Sequence, residues 1–481
     1  MHSRGKLLLL AAILSLAAAL RLHDLGSELW YDEILTAIRV SNGTPLEILT
    51  MYDSQNQHVL YSLLARFSYD VFGDGPAALR LPAALFGVLG VGAVYLLGRD
   101  LLSEREGLLA AAFLAVSDLH VWFSQDARAY SALLFFAVFA SWLLLRAQGG
   151  TRLGLWLAYG VVAALGVHAH LAMLFVLAGH AVIAAEQRAF AGPLLGFGVA
   201  AVLTVLLYLP ILPELLAVTA VEGRDGVVRE WHSTSWALAE VAPRLRDSFG
   251  GWLQAIAAIV VGLVGLASLV RRKRIVLELL VYPLAIGAGI LVLSGHHLWP
   301  RLFLFALGFA VLVAIAGATA LGEGIARRLR PGRSATGAGV VVALLLIAGA
   351  ALSLPRAYGP KQRYVEALDL LRRERRPGDV VLVTNSRRVF LDYYGLEGRA
   401  IGSVADVEEA RREADRVWLL HTFPVAHRSA RSEIEEVVER EFEAVGRFPG
   451  TVRGGDVLVW RWERAPQARP FNASPRSRRD G

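Results

Sequence analysis

No cysteine occurs anywhere in the 481-residue chain. Disulfides and thiol catalysis are therefore excluded, and the redox compartment stays unread, because a cysteine-free chain suits either side of a membrane. No internal repeat is visible, and no basic stripe with interleaved aromatics accompanies the net charge of +7, so nucleic acid is not an expected partner. The arginines cluster instead between long hydrophobic runs, as the positive-inside rule describes. With 55% hydrophobic residues and a mean hydropathy of +0.48, the leading class is a polytopic membrane protein.

Segments of roughly 17–25 apolar residues read as membrane-spanning helices, and about eleven are expected. They lie near Leu7–Leu22, Leu79–Leu97, Gly107–Trp122, Tyr130–Leu145, Leu153–Val167, Leu171–Ala185, Pro193–Leu212, Leu253–Val270, Val276–Leu293, Leu302–Leu321 and Gly339–Leu354. The stretch His58–Phe72 is interrupted by Arg66 and Asp70, and its spacing of Leu60, Leu63, Leu64, Phe67 and Val71 predicts an amphipathic helix in the interface. Arg4 and Lys6 place the N-terminus in the cytoplasm. Alternation then assigns the basic loops around Arg99, Arg146, Arg188, Arg271–Arg274 and Arg327–Arg333 to the same side. The complementary loops, 23–78, 118–128, 168–170, 213–250 and 295–301, face outward, as does everything after Leu354. A cleavable signal peptide over Met1–Leu20 is the alternative reading of the first span and leaves the later topology unchanged.

The membrane part is expected to occupy 1–354. Beyond it, 355–464 changes character, with strand-like runs at Asp379–Thr384, Arg416–His421 and Asp456–Arg461 alternating with helical patterns at Gln362–Arg373, Val404–Ala414 and Ser429–Phe442. This predicts a small extracytoplasmic α/β domain. The Pro-, Arg- and Ser-rich tail, 465–481, is expected to be disordered.

The spans hold few acids and bases, His180 being an exception more often explained by packing, whereas a transport pathway normally carries ionisable groups within the membrane. The unusual polar residues lie in the outward loops. Four groups share that face: Trp30-Tyr31-Asp32-Glu33, the segment Asp53 to His58, the segment Phe123 to Tyr130 containing Asp126 and Arg128, and His296-His297 leading to Trp299 and Arg301. Each has a plainer reading. Trp30, Trp122 and Trp299 suit an aromatic belt, Asp126 and Arg128 a structural ion pair, and Asp53 a helix cap. The histidine pair lacks further ligands at a zinc-like spacing. Their convergence on one side of the membrane is the stronger signal.

In these features the sequence resembles the GT-C glycosyltransferases, in particular the bacterial group similar to dolichyl-phosphate-mannose protein mannosyltransferases and the aminoarabinose transferases of lipid A. Leu29-Trp-Tyr-Asp-Glu33 falls in the first outer loop, and Ala78-Leu-Arg-Leu-Pro82 opens the second span. Ser124-Gln-Asp-Ala-Arg-Ala-Tyr-Ser131 leads into the fourth, and Pro300-Arg301 precedes a late span. The resemblance covers about Leu7–Leu354. It departs at His58, where the family's His-Pro-Pro-Leu reads His58-Val59-Leu60-Tyr61, so the bend into the interfacial helix lacks its prolines.

The resemblance implies an all-α polytopic GT-C fold in a bacterial plasma membrane. It also implies a donor sugar on a polyprenyl phosphate and inversion at the anomeric carbon. The acceptor would be an extracytoplasmic glycan, lipid or protein. The chemistry of the residues agrees. A phosphate departs as a stable anion without a general acid, but the acceptor hydroxyl must lose a proton to a base, and the leaving phosphate needs cations such as arginine. Asp32 is the expected base, with Glu33 orienting the loop or the sugar. Arg128 and Arg301 are candidates for the phosphate, and His58 for the phosphate or a sugar hydroxyl. Tyr130 and His297 are further donor-site candidates, and Asp126 is expected to hold Arg128. Trp231 and His232 are expected to shape acceptor choice. No cofactor is expected. Some relatives require a divalent metal, but the outer carboxylates Asp32, Glu33 and Asp53 do not make an obvious site for one, so metal-independent transfer is favoured. The competing classes are a flippase for a lipid-linked glycan and a membrane anchor for the outer domain.

Overall fold

The computed structural model describes residues 3–52, 54, 57–148, 152–188, 191–225, 234–329, 335–384, 386–424, 432–450 and 455–464. It forms two compact units, Met1–Lys361 and Gln362–Gly481, so the residues just past the last apolar run, including the short 3-10 segment Leu354–Tyr358, belong with the helical unit. The division falls at Lys361 rather than at 354.

Among the described residues of the helical unit, eight helices are long and apolar enough to cross a membrane. They include α1 (Ser3–Leu22), α5 (Pro76–Leu101), α8 (Tyr130–Gln148), α11 (Ala191–Tyr208), α14 (Trp252–Arg272), α15 (Arg274–Leu293), α16 (Ala306–Leu329) and α17 (Thr336–Ala351). Three further expected spans fall on α9 (Leu153–Ala169), on α10 (Met173–Glu186), both short, and on a bent pair. That pair is α6 (Glu104–Val116) and α7 (Asp118–Ser124), which meet at 63° where a continuous span, Gly107–Trp122, was predicted. Ser117 caps the new helix by accepting the N–H of His120. From α1, Arg21 donates to the carbonyls of Leu114 and Ala115 at the break, where the last carbonyls of a helix lack a full set of backbone donors, and contacts Nδ1 of His120.

Helix α8 is the most enclosed of the spans, with 72% of its apolar window buried, against 22% for α14. It packs on α5 and α9. Between α8, α9 and α10, His180 is satisfied on both ring nitrogens, by Ser141 at 2.9 Å and Tyr159 at 3.1 Å, so its role is packing. Leu7, Leu253, Leu293 and Leu345 project from the outer surfaces, as a bilayer-facing exterior requires.

The connecting segments are also helical. They are α2 (Tyr31–Asn42), α3 (Pro45–Thr50), α4 (Val59–Phe72), α12 (Leu212–Asp225) and α13 (Thr234–Ser248). The last two replace much of the expected 213–250 loop. In α4 the buried face is Val59, Tyr61, Ser62, Ala65 and Ser68, while Phe67, Val71 and Phe72 stay exposed. The apolar stripe thus points away from the protein, as an interfacial helix needs.

The second unit is a mixed five-stranded sheet in the order β2-β1-β3-β5-β4. Its strands are β1 (Val380–Val383), β2 (Arg399–Ala400), β3 (Arg416–Thr422), β4 (Glu443–Phe448) and β5 (Val457–Glu463). Strand β1 runs parallel to β2 and β3, and β5 antiparallel to β3 and β4. Helices α18 (Tyr364–Glu374), α19 (Val404–Glu413) and α20 (Ser432–Glu441) complete it. Val417, Leu419, Val407, Ile434 and Val438 build its core. The expected strands and helices recur within a few residues, and β2 and β4 are additions. The tail 465–481 lies outside the described residues.

Candidate active site

The loop after α1 leads into α2, whose first turn carries Asp32 and Glu33, where acidic side chains meet the positive end of the helix dipole. Neighbours on a helix diverge by about 100°, and the two carboxylates take different partners. Glu33 is buried. Its Oε1 accepts Arg80 Nε and the Ala127 N–H, both at 2.7 Å, and its Oε2 accepts Arg80 Nη2 at 2.7 Å and the Trp30 N–H at 3.3 Å. A carboxylate offers about four lone-pair sites, so none is left for a sugar. Burial pushes this carboxyl upward, but Arg80, Lys361 and the Ala127 N–H outweigh it and hold the group below its usual value. The same guanidinium of Arg80 donates to the carbonyls of Leu25, Ser27 and Glu28. Glu33 and Arg80 therefore fix the loop that presents Asp32.

Asp32 faces elsewhere. Its Oδ2 accepts Arg301 Nη1 at 2.8 Å, and both side chains keep some exposure, 9% for Asp32 and 24% for Arg301. Arg301 sits in the 3-10 turn Pro300–Phe303 before α16, with its guanidinium over the rings of Trp299, Trp30 and Tyr130 at 4.7, 6.0 and 6.0 Å. The Tyr130 ring, at the start of α8, is the hub. Arg128 lies 5.9 Å from it, His58 5.9 Å and His170 5.4 Å. The imidazoles of His58 and His170 lie against each other at 4.6 Å. Burial first, then the neighbouring Arg128 and Arg301 guanidiniums, pull His170 down to about 3 and hold His58 well below its usual value, so both rings are neutral near pH 7.

Behind this face lies a second buried cluster. Asp126 Oδ1 accepts Trp30 Nε1 at 2.9 Å and lies 3.7 Å from Lys361 Nζ. That ammonium is also 3.7 Å from Glu33, donates to the Gln125 carbonyl at 2.7 Å and stands 4.5 Å from the Trp122 ring centre. Asp126 is thus engaged by Trp30 and Lys361, with the Arg128 guanidinium also close enough to pull its carboxyl down. Burial raises its carboxyl to about 6, against the pull of Lys361.

Asp32, Glu33, His58, Asp126, Arg128, Tyr130 and Arg301, drawn from four separate loops and helix starts, come together. His297 stands at the edge, its ring 6.0 Å from Trp299. Trp231, His232 and Asp53 lie outside the described residues. Trp30 and Trp122, buried at 2% and 5% exposure, are parts of the site and not belt anchors. Three members had no role in the sequence reading: Arg80, His170 and Lys361. Lys361 carried a signal, as one of three lysines in a chain that otherwise uses arginine. Among the described residues no three of His, Asp and Glu converge to hold a cation. Asp32 and Glu33 each face a guanidinium.

The fold has counterparts among solved structures. ArnT from Cupriavidus metallidurans in its apo state superposes with a TM-score of 0.58 at 12% identity, over 97% of this chain and 100% of that one. The same protein bound to undecaprenyl phosphate gives 0.51 at 12% identity over 97% and 100%. The oligosaccharyltransferase of Archaeoglobus fulgidus in complex with zinc and sulfate gives 0.53 at 14% identity, over 90% of this chain and 71% of that chain. The chain has a GT-C fold. Within this GT-C chain, residues 57–213 match the dolichyl-phosphate-mannose-protein mannosyltransferase family, a stretch that contains His58, Arg80, Asp126, Arg128, Tyr130 and His170. Among curated proteins none matches by sequence.

Proposed function

We propose that the protein is an integral membrane glycosyltransferase that moves a sugar from a polyprenyl-phosphate donor to an extracytoplasmic acceptor, with inversion and with Asp32 as general base. The observation that carries this reading is the Asp32–Arg301 ion pair, partly open to solvent, beside Arg128 and the two neutral histidines. The acceptor hydroxyl oxygen attacks the anomeric carbon from the face opposite the phosphate. As that bond forms, its proton passes to Asp32, on Oδ1, because Oδ2 is held by Arg301. The bond from the anomeric carbon to the phosphate oxygen breaks, and the electron pair leaves on the phosphate. Arg301 and Arg128 neutralise the departing charge, a task suited to planar guanidiniums. Arg301 spans both events, keeping the base and the leaving group in register.

The N-terminus is assigned to the cytoplasm and the site to the opposite face of the membrane, where a polyprenyl headgroup lies. The matches to ArnT and to the mannosyltransferase family support a lipid-linked donor. A flippase reading gains no support from the spans, where Glu106 is engaged by Ser103 and Thr319 and His180 by Ser141 and Tyr159. The test is transfer from radiolabelled polyprenyl monophosphates of mannose, arabinose, galactose, glucose and a uronic acid, in membranes with and without the protein. Label moving from one donor to an acceptor only when the protein is present is expected. No transfer from any donor, with the donors recovered intact, would contradict the proposal.

A further inference from the structure

Of the three lysines in the chain, Lys361 is the buried one, at 5% exposure. A lysine is almost never fully buried unless it is paired, and its ammonium offers three donors and no acceptor. One donor goes to the Gln125 carbonyl at 2.7 Å. The same ammonium lies 3.7 Å from Asp126 Oδ1 and 3.7 Å from Glu33 Oε1. Those contacts reach two different segments. Glu33 stands in the first turn of α2, next to Asp32. Gln125 and Asp126 open the turn between α7 and α8, which runs through Arg128 to Tyr130.

The two segments meet along a seam of buried hydrogen bonds. The Ala127 N–H donates to Glu33 Oε1 at 2.7 Å, and Trp30 Nε1 donates to Asp126 Oδ1 at 2.9 Å. Lys361 comes from neither segment and reaches both. With Arg80 it brings two cations to two buried carboxylates, a balance that buried charge requires. The seam has Asp32 on one side and Arg128 on the other. Inversion needs the acceptor oxygen, the anomeric carbon and the departing phosphate oxygen in line. The spacing across the seam therefore bears on the rate, and a misplacement of about 1 Å can cost about a hundredfold.

We propose that Lys361 is a positioning residue for transfer: it staples the segment that carries Asp32 to the turn that carries Arg128, and so aligns the acceptor hydroxyl with the leaving phosphate. This rests on the glycosyltransferase reading above and adds to it a residue from outside both segments. Lys361 stands behind the reacting groups, so its loss slows the step that joins donor and acceptor and leaves binding of the lipid phosphate in place.

The test compares two charge-balanced variants of the full-length protein in lipid nanodiscs, Lys361→Met with Asp126→Asn and Lys361→Gln with Asp126→Asn. Each removes one buried cation and one buried anion together, and the Asn side chain keeps an acceptor for the Trp30 N–H. They differ in the donor to the Gln125 carbonyl, which Gln retains and Met lacks. Melting temperature, affinity for undecaprenyl phosphate, and single-turnover transfer from the polyprenyl monophosphate sugar that the wild type uses are all measured. The two variants should melt alike and bind undecaprenyl phosphate alike, while the Met variant transfers roughly ten- to a hundredfold more slowly than the Gln variant. Equal transfer rates would show that the lysine serves charge balance alone, and would overturn the inference. So would weaker undecaprenyl phosphate binding in proportion to the slower transfer, or a Met variant that melts well below the Gln variant. A wild type that transfers from no donor would instead sink the glycosyltransferase reading, and this inference with it.

Discussion

Asp32 and Glu33 are adjacent in sequence and 2.7–2.8 Å from two different arginines. That they face different partners was legible, because helical neighbours diverge. Which arginine each takes was not, since Arg80 and Arg301 lie 47 and 269 positions further along the chain and local spacing carries no record of such pairings. Glu33 with Arg80 is a fully buried pair, and removing one partner strands the other's charge. Arg80→Ala or Glu33→Gln should cost about 3–5 kcal/mol of stability, read as a lowered melting temperature in detergent, with transfer lost because the loop bearing Asp32 is no longer held. A variant that melted like wild type would refute the assignment. Asp126 makes a second, pH-dependent prediction. Burial raises it to about 6, above the roughly 3.9 of an unfolded chain. Between these values the folded protein holds a proton the unfolded chain has released, so this group favours folding at low pH and loses that contribution as pH rises towards 6. Melting temperatures of the wild type and Asp126→Asn, compared from pH 4 to 7, should differ by that slope. Parallel profiles would show that Asp126 does not titrate there.

Among the elements, the spans were readable because a helix in lipid must satisfy its own backbone and carry apolar side chains. The break between α6 and α7 was not. Neither Pro nor Gly stands at Ser117, and the carbonyls at the break are served by Arg21, 94 residues away from Ala115. Hydropathy sees one apolar run where a distant side chain makes two helices affordable. Close packing is equally hidden. Helices α14 and α16 approach at Gly265 and Gly317, where a Cβ built on Gly317 would meet the Val261 carbonyl and lie 2.7 Å from the Gly265 nitrogen. Small residues allow such contact between membrane helices. Gly317→Val should force α14 and α16 apart and lower the melting temperature, whereas the same change at Gly289, which has open space, should be nearly neutral. Equal effects at both positions would contradict the packing.

For the whole molecule, the GT-C fold was legible through the order of its motifs, while the positions of its helix breaks and the boundary at Lys361 depend on contacts that sequence patterns do not encode. The orientation in the membrane is a separate expectation that the absence of cysteine makes easy to test. Glu397→Cys, exposed in the α/β unit, should react with a membrane-impermeant maleimide added outside intact cells, and Arg271→Cys, exposed in the last turn of α14, only after the cells are opened. The reverse pattern would invert the topology and move the site to the cytoplasmic face. The account as a whole turns on Asp32. Single-turnover transfer from the polyprenyl-phosphate sugar that the wild type uses, repeated with Asp32→Asn protein whose melting temperature shows it folded, is the most direct measurement. The expected result is a fall of about 10²-fold or more in the transfer step, the usual worth of a general base, with donor binding retained. A folded Asp32→Asn protein that transfers the sugar at the wild-type rate would contradict the central claim.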